Sequence, residues 1–498
     1  MNRKLVTVII SIVLVLTTGF STVASELETA MGDQGWRDYV EEAVRTDKVP
    51  GLAVCAVNGD EVSFANWGYG DIAAGIPVTE DTVFEIGSVS KAFTALAVLL
   101  LQEQGKLSVD DSISDYFDWW HVTWQGEEVD VKIWMLINHC AGIPNSQTMA
   151  MVPFGTDDNS NEVTARLVGD LELAYAPGER FEYCNMDYTL LAYLVETVSG
   201  MYFSDFVEQQ IMAPIGMTHS GYDIPTTQGY QYLFGQTVEY DAPRMKGSEG
   251  DGYAIVTPRD MALWMQAQMG MLDLPEDLAG AIEDSHELIP GHSPEEDPDM
   301  VYYNGWIFSE EYGGIFLHGG ENPNFCSMLI IDPESQTGVF AVSNIASNAP
   351  SYAAYSLYGR LAGVDGLEQP IGRWPFYTMD IICSIMAAVF FVILFCCVVK
   401  LVNQKKRLAG KKHTKRKEKV QLAVRLTVLV PLLLISAGAP YIFSYAIGYP
   451  GFGYTMIAFW TPWSLLILAG VLDLLFLCLI VTSICRWHLI RRETIPEV

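Results

Sequence analysis

Between residues 26 and 373 the chain is short of positive charge: 13 Lys and Arg stand against 55 Asp and Glu, a net of −42. Nucleic-acid binding needs a basic footprint, so that partner class is excluded, and tight binding of acidic polymers is disfavoured. Metal-binding patterns are equally scarce. No HExxH and no CxxC occurs, and adjacent Cys396-Cys397 falls inside an apolar run. No metal site and no cofactor is expected. Cysteine is sparse as well. Cys55, Cys140, Cys184 and Cys326 would permit two disulfides in three pairings, but their spacings form no framework, and a domain of this size needs none. They read as buried thiols.

What the chain has is concentrated at its ends and in three short motifs. Residues 1–25 have the layout of a signal peptide: Arg3 and Lys4, an apolar core from Leu5 to Leu16, then small residues around Val23-Ala24-Ser25. After a 366–379 linker, three apolar segments follow at 380–402, 426–447 and 460–484, each long enough to cross a bilayer. The 403–425 loop is rich in Lys and Arg, Arg486, Arg491 and Arg492 mark a 485–498 tail, and Ala446 to Phe459 carries no charge. Cationic loops stay cytoplasmic, so the expected protein is a multi-pass cell-membrane protein. Its 26–365 domain and the short connection lie outside; the basic loop and the tail lie inside. Asp473, midway along the third segment, faces protein in this reading, and Ser436 lies at a similar depth.

The 26–365 stretch shows no internal repeat. Leu52–Val57 and Val62–Trp67 flank Asn58-Gly59, a hairpin signal. Ser88 to Gln104 reads as a buried helix ending at Gly105. Further helices are expected at Lys132–His139, Ala165–Leu173, Tyr188–Ser199, Pro258–Met271 and Ala346–Ala362. Strands return at Tyr302–Ser309, Gly314–His318, Phe325–Asp332 and Val339–Asn344. Strands at both ends with helices between predict an α+β fold: one antiparallel sheet flanked by helices, plus a helical subdomain, followed by three transmembrane helices.

Ser88 and Lys91 stand three apart at the head of the expected helix, and so share one face within a turn. A lysine amine there lowers the cost of deprotonating the serine, and the helix N-terminus favours developing negative charge. Two further elements follow: Tyr183-Cys184-Asn185, and His318-Gly319-Gly320 set between two expected strands.

With Ser-x-x-Lys, Tyr-x-Asn and His-x-Gly in that order, Gly51 to Leu361 resembles the serine β-lactamase and penicillin-binding-protein superfamily. It is most similar to the class C-like branch, which includes D-aminopeptidases, DD-peptidases and esterases. Ile137-Asn138-His139-Cys140-Ala141-Gly142-Ile143-Pro144, Gly252–Asp260 and Ile331-Asp332-Pro333 are secondary matches. The resemblance implies a β-lactamase/transpeptidase-like fold with Ser88 as nucleophile. It also implies that Lys91 and Tyr183 move the proton, with a phenolate stabilised by the ammonium. Asn185 would bind Lys91 and a substrate amide. The backbone N–H groups of Ser88 and Glu321 would form the oxyanion hole, and Gly319 and Gly320 would let substrate approach the strand.

The departures bear on substrate. His318 stands where many relatives have the lysine of Lys-Thr-Gly, which weakens fixed positive charge and favours a peptidase or esterase over an efficient β-lactamase. Asn322-Pro323-Asn324 replaces a glycine-rich rim. The expected partners are the membrane and a small peptide, amide or ester substrate. A β-lactamase or DD-peptidase acting on cell-wall precursors is the alternative enzyme, and a catalytically idle sensing module is the alternative of another class. Three local rivals exist. Tyr302-Tyr303-Asn304 also fits Tyr-x-Asn but reads as sheet core; Lys246-Gly247-Ser248 imitates Lys-Thr-Gly but precedes the final strands; Cys184 reads as a small buried side chain.

Overall fold

A computed structural model describes residues 26–145, 160–245, 247–292, 300–409, 413–446 and 454–492. The expected signal peptide and Lys246 lie outside the described residues. Eight strands build the central sheet: β1 (Gly51–Asn58), β2 (Glu61–Asp71), β3 (Ile76–Pro77), β4 (Met300–Tyr303), β5 (Trp306–Ser309), β6 (Ile315–Asn322), β7 (Phe325–Asp332) and β8 (Thr337–Ser343). Their order is β4-β5-β6-β7-β8-β1-β2-β3, antiparallel throughout, so the first strand pairs with the last, from Leu52 opposite Ser343 to Asn58 opposite Thr337. This is the α+β sheet of distant segments that the pattern predicts.

The sheet is covered on both faces, which is why β1, β7 and β8 read as unbroken apolar runs rather than alternating ones. On β7, Leu329 and Ile331 join one core with helix α2 (Ser90–Glu103) and helix α3 (Asn185–Ser199). Ile330 joins the other, with helix α1 (Gln34–Thr46) and helix α4 (Ala349–Ala362). Helix α2 is buried on all sides from Ser90 to Leu101 and stops where Gly105 adopts φ 66°.

Three local expectations change. Tyr302–Ser309 is two strands, because Asn304-Gly305 adopts positive φ (50° and 83°) and closes a two-residue hairpin in which Tyr303 faces Trp306. In the first hairpin Asn58 pairs with Glu61, so the turn residues are Gly59-Asp60 and Gly59 carries the positive φ. The helix expected over Ala165–Leu173 ends early, as Asn161–Ala165 and a 3-10 turn at Arg166–Val168. Gly169 then lies so close to Trp119 that a Cβ would come within 2.7 Å of its ring, and Leu171 and Leu173 exchange backbone hydrogen bonds with Thr123.

Among the described residues three helices are long and apolar enough to cross a membrane: α5 (Pro375–Val402), α6 (Lys415–Ala437) and α7 (Trp463–Arg492). Helix α5 starts inside the expected linker, with Pro375 in its first turn, where proline's missing N–H loses nothing. Helix α6 begins within the basic segment and ends before Gly438, while α7 runs on through Arg486 to Arg492.

The N-terminal end of α5 is joined to the domain that holds the sheet. Asp380 is fully buried and accepts the N–H groups of Phe234 (3.2 Å) and Gly235 (2.5 Å) at the turn of the hairpin Tyr230–Glu239, and Tyr377 stacks on Tyr232 at 4.8 Å. Tyr240 donates to the Phe459 carbonyl (3.3 Å) and packs edge-on against Trp463. The far ends of α6 and α7 are tied by Glu418 and Arg486, through two hydrogen bonds of 2.7 and 2.9 Å. Asp473 and Ser436 do not meet. Asp473 Oδ1 and Ser436 Oγ are both buried without a hydrogen-bond partner among the described residues.

Candidate active site

From Phe84 to Leu101 every residue is buried except Ser88. It sits in a 3-10 turn, Gly87–Val89, that leads into α2, so its hydroxyl opens from the wall of the core just ahead of a helix. Gly87 is forced there. Its φ is 54°, and a Cβ would stand 2.4 Å from the Glu321 nitrogen. On β6 the converse holds, since a Cβ on Gly320 would reach within 1.8 Å of the Ile86 carbonyl oxygen, which already accepts Ser327 Oγ at 2.7 Å. These two glycines bring the Ser88 turn and the Glu321 amide against each other. On β6 the side chains alternate: Ile315 and Leu317 join the core beneath α4, and Phe316 joins the core of α2. Glu321 falls on the α4 side, opposite Cys326, so it offers the site its backbone and not its carboxyl.

Lys91, in the first turn of α2, is completely buried. Its ammonium donates to Ser88 Oγ (3.2 Å), Asn185 Oδ1 (2.8 Å) and the Asp251 carbonyl (2.6 Å), and lies 4.9 Å from the centre of the Tyr183 ring. Burial lowers its pKa from 10.5 to about 8, against the opposing pull of the nearby Asp251 carboxylate. The Tyr183 hydroxyl is buried and has no hydrogen-bond partner among the described residues. Burial holds its pKa above the usual 10, with the Ser88 hydroxyl pulling the other way. Burial therefore works against the phenolate expected beside Lys91, whose cation faces the ring.

His318 is buried on β6, with Nδ1 donating to the Gly319 carbonyl (2.7 Å) and Nε2 3.4 Å from Tyr302 Oη. Burial and the Lys91 charge lower its pKa to about 3, so it is a neutral imidazole. The neighbouring Arg244 is occupied by Glu85 (3.1 Å) and by the carbonyls of Tyr222 and Tyr253 (each 2.9 Å). Asn322, at the end of β6, holds Glu85 from the other side at 2.7 Å. Among the described residues the cation beside the serine is the lysine.

The sequence-predicted residues Ser88, Lys91, Asn185, Tyr183, His318, Gly320 and Glu321 thus converge. The reading missed three others. Asp251, whose carbonyl anchors Lys91, sits one residue before the Gly252–Asp260 match. Tyr302 is sheet core as expected, but its hydroxyl also reaches His318, and its ring meets Tyr183 edge-on at 5.9 Å. The Asn304-Gly305 turn signal would have placed it. His139, noted only as part of a secondary match, lies against Tyr183 with ring centres 4.3 Å apart. In the rival Lys246-Gly247-Ser248, Gly247 lies so close to Thr164 that a Cβ would come within 2.0 Å of its Oγ1. Among the described residues no group of His, Cys, Asp and Glu is arranged to hold a metal.

Comparison with known proteins places these features. The Beta-lactamase family model matches residues 36–363. Protein flp of Staphylococcus aureus (strain N315) is 26% identical over 316 residues, covering 62% of this chain and 62% of that protein. A Beta-lactamase of Escherichia coli (strain K12) is 27% identical over 237 residues, covering 47% of this chain and 60% of that one. The chain thus spans less than two thirds of either relative. Among solved structures, the octameric penicillin-binding protein homologue from Pyrococcus abyssi superposes with a TM-score of 0.58 at 25% identity, over 71% of this chain and 81% of that one. A class C beta-lactamase superposes with a TM-score of 0.56 at 19% identity, over 67% and 98%, a likeness of fold alone.

Proposed function

Because this chain belongs to the Beta-lactamase family, we propose that it is a membrane-anchored, outward-facing serine hydrolase working through a Ser88 acyl-enzyme on peptide, amide or ester substrates. The observation that carries this reading is the set of acceptors around Lys91. An ammonium has three donors, and here it has three acceptors. Asn185 Oδ1 and the Asp251 carbonyl can only accept. Ser88 alone can reverse its hydrogen bond. When Lys91 loses a proton, its two remaining N–H groups stay on Asn185 and Asp251, and its lone pair points at the serine. Lys91, with a pKa near neutrality, is the base for Ser88.

The steps follow from that polarity. Ser88 Oγ attacks the substrate carbonyl carbon as its proton passes to Lys91. The carbonyl electron pair moves onto oxygen, facing the N–H groups of Ser88 and Glu321. Collapse breaks the bond to the leaving group, which takes a proton from the Tyr183 phenol as the Lys91 ammonium resupplies it. Water then repeats the sequence on the ester. A neutral His318 and an occupied Arg244 supply no fixed charge for a substrate carboxylate, which supports peptide, amide or ester substrates over β-lactams. Cations at one end of the apolar helices and an acidic domain at the other support the outward orientation.

Intact-mass analysis after a fluorophosphonate probe and a panel of β-lactams tests both parts. The expected result is one phosphonyl adduct on Ser88, with β-lactam adducts absent or slow to form. An adduct mapped to another residue overturns the mechanism, and rapid β-lactam turnover moves the substrate class. Protease protection in intact cells tests the topology, which external cleavage at 403–414 would reverse.

A further inference from the structure

Tyr183 is held in place by something the sequence barely announces. His139 adopts a left-handed backbone, φ 55°, and is fully buried. That conformation turns its carbonyl and its ring toward the same strip of chain. The carbonyl accepts the Glu182 N–H at 2.8 Å, and imidazole Nδ1 accepts the Cys184 N–H at 3.2 Å. These N–H groups belong to the two residues on either side of Tyr183. The ring lies between them against Tyr183 itself, 4.3 Å between centres, inside a cage completed by Tyr302 (4.7 Å), Tyr188 (5.0 Å) and Phe181 (6.1 Å). Asp187, in the first turn of α3 that also carries Asn185, meets the same Nδ1 through Oδ2 at 2.8 Å.

We infer that His139 is a positioning residue that fixes the Tyr183 phenol over Ser88 by holding the amides of both neighbouring residues and one ring face. The inference rests on the acyl-enzyme reading and adds to it the group that sets its proton donor. No smaller set of roles explains a histidine here. Leucine would fill the cage but remove the Nδ1 that meets the Cys184 N–H, and large apolar residues disfavour this φ. Asparagine tolerates the φ and supplies an acceptor but lacks the ring. An amide N–H can only donate, so Nδ1 faces Cys184 as an acceptor, and the same atom lies against the Asp187 carboxyl. Burial favours the neutral form of both, raising Asp187 and lowering His139.

The test uses full-length protein in detergent, with phenyl acetate and p-nitrophenyl acetate as probes and fluorophosphonate titration to count active Ser88. The nitrophenolate leaves readily as an anion, whereas phenolate departs better with a proton, so a displaced Tyr183 should hurt the first ester less. His139→Leu should lower kcat on phenyl acetate about tenfold or more, with KM nearly unchanged and a smaller loss on p-nitrophenyl acetate. Added to Tyr183→Phe it should cost less than about twofold further, since both act through one group. Should His139→Leu not fold, His139→Asn carries the test, with a smaller loss of the same leaving-group pattern. Asp187→Asn, which can still donate to Nδ1, should be rescued relative to Asp187→Leu. Equal losses on both esters, or losses that multiply with Tyr183→Phe, would show a merely structural histidine and end the inference while leaving the mechanism intact. A Tyr183→Phe enzyme as fast as wild type on both esters, or a Ser88 that takes no probe, would instead remove the proposed mechanism and this inference with it.

Discussion

The catalytic domain and the membrane helices use polar residues in opposite ways. In the domain, Lys91, Asp187, His139, Asp251 and His318 are all buried in apolar surroundings. Their partners come from far apart in the chain, as with Lys91 and Asp251. Burial shifts their protonation, and the apolar packing fixes their geometry. In the membrane helices only 17%, 6% and 22% of the most apolar windows of α5, α6 and α7 are buried against protein. The rest faces outward, and beside an apolar cluster of Cys383, Ala387 and Leu468 the region is tied by polar contacts near helix ends, Asp380 with the Phe234-Gly235 turn and Glu418 with Arg486. One region uses apolar packing to aim polar groups; the other uses polar groups to fasten apolar helices. Damage to the first should show in chemistry, and damage to the second in attachment.

The sharpest break between the two is Ser88→Ala, which should abolish fluorophosphonate labelling and hydrolysis while the thermal midpoint stays near wild type. Labelling that persists elsewhere in that variant would dissolve the distinction. Next in size, Lys91→Ala and Tyr183→Phe should each lower turnover by at least about 10²-fold, and the double variant should lose far less than the product, because one relay is being removed twice.

A pH series sharpens the comparison further. The reactive form of Lys91 is the neutral amine, and burial has brought its pKa down to about 8. Labelling should therefore rise about tenfold per pH unit below that value and level off above it. A flat profile from pH 6 to 9 would point to a different base. In the membrane region, Asp380→Ala should leave ester hydrolysis within about twofold yet make 366–374 more readily cut by protease, since the hairpin loses its only shared carboxylate acceptor among the described residues. A large loss of activity instead would mean that the anchorage shapes the site. The smallest effect is expected at Asp473. With no partner in place for Oδ1, Asp473→Asn should change protein abundance by less than about twofold, as measured by membrane immunoblot.

The parts of this protein that could be read from sequence are those whose physics is local. Ser88 and Lys91 are three apart on one turn, Tyr183 and Asn185 frame a helix start, and apolar runs of bilayer length need no partner to be seen. Strand β7 was legible to the residue because it is apolar throughout, whereas Tyr302–Ser309 was misread as one strand because the Asn304-Gly305 turn was passed over. What stayed hidden depends on distant segments. Asp251 offers Lys91 a backbone carbonyl, which no side-chain pattern encodes. Gly87 and Gly320 are needed because of each other's strand and turn. The docking of Asp380 on a hairpin some way back in the chain has no sequence signature. The burial that works against a Tyr183 phenolate was hidden for the same reason, since proximity to Lys91 was visible and the depth of burial was not.

The pairing of β1 with β8 carries a consequence for the order of events in the cell. The sheet is closed by its first and last long strands, so in the proposed outward orientation the wall behind Ser88 would be finished only when Thr337–Ser343 has left the translocon, shortly before α5 enters the membrane. Until then β1 waits with an open edge, the costliest loop in the domain still unclosed. Folding and membrane insertion thus run back to back, and a nascent chain stalled anywhere before β8 would present chaperones with an unsealed sheet rather than a slow enzyme.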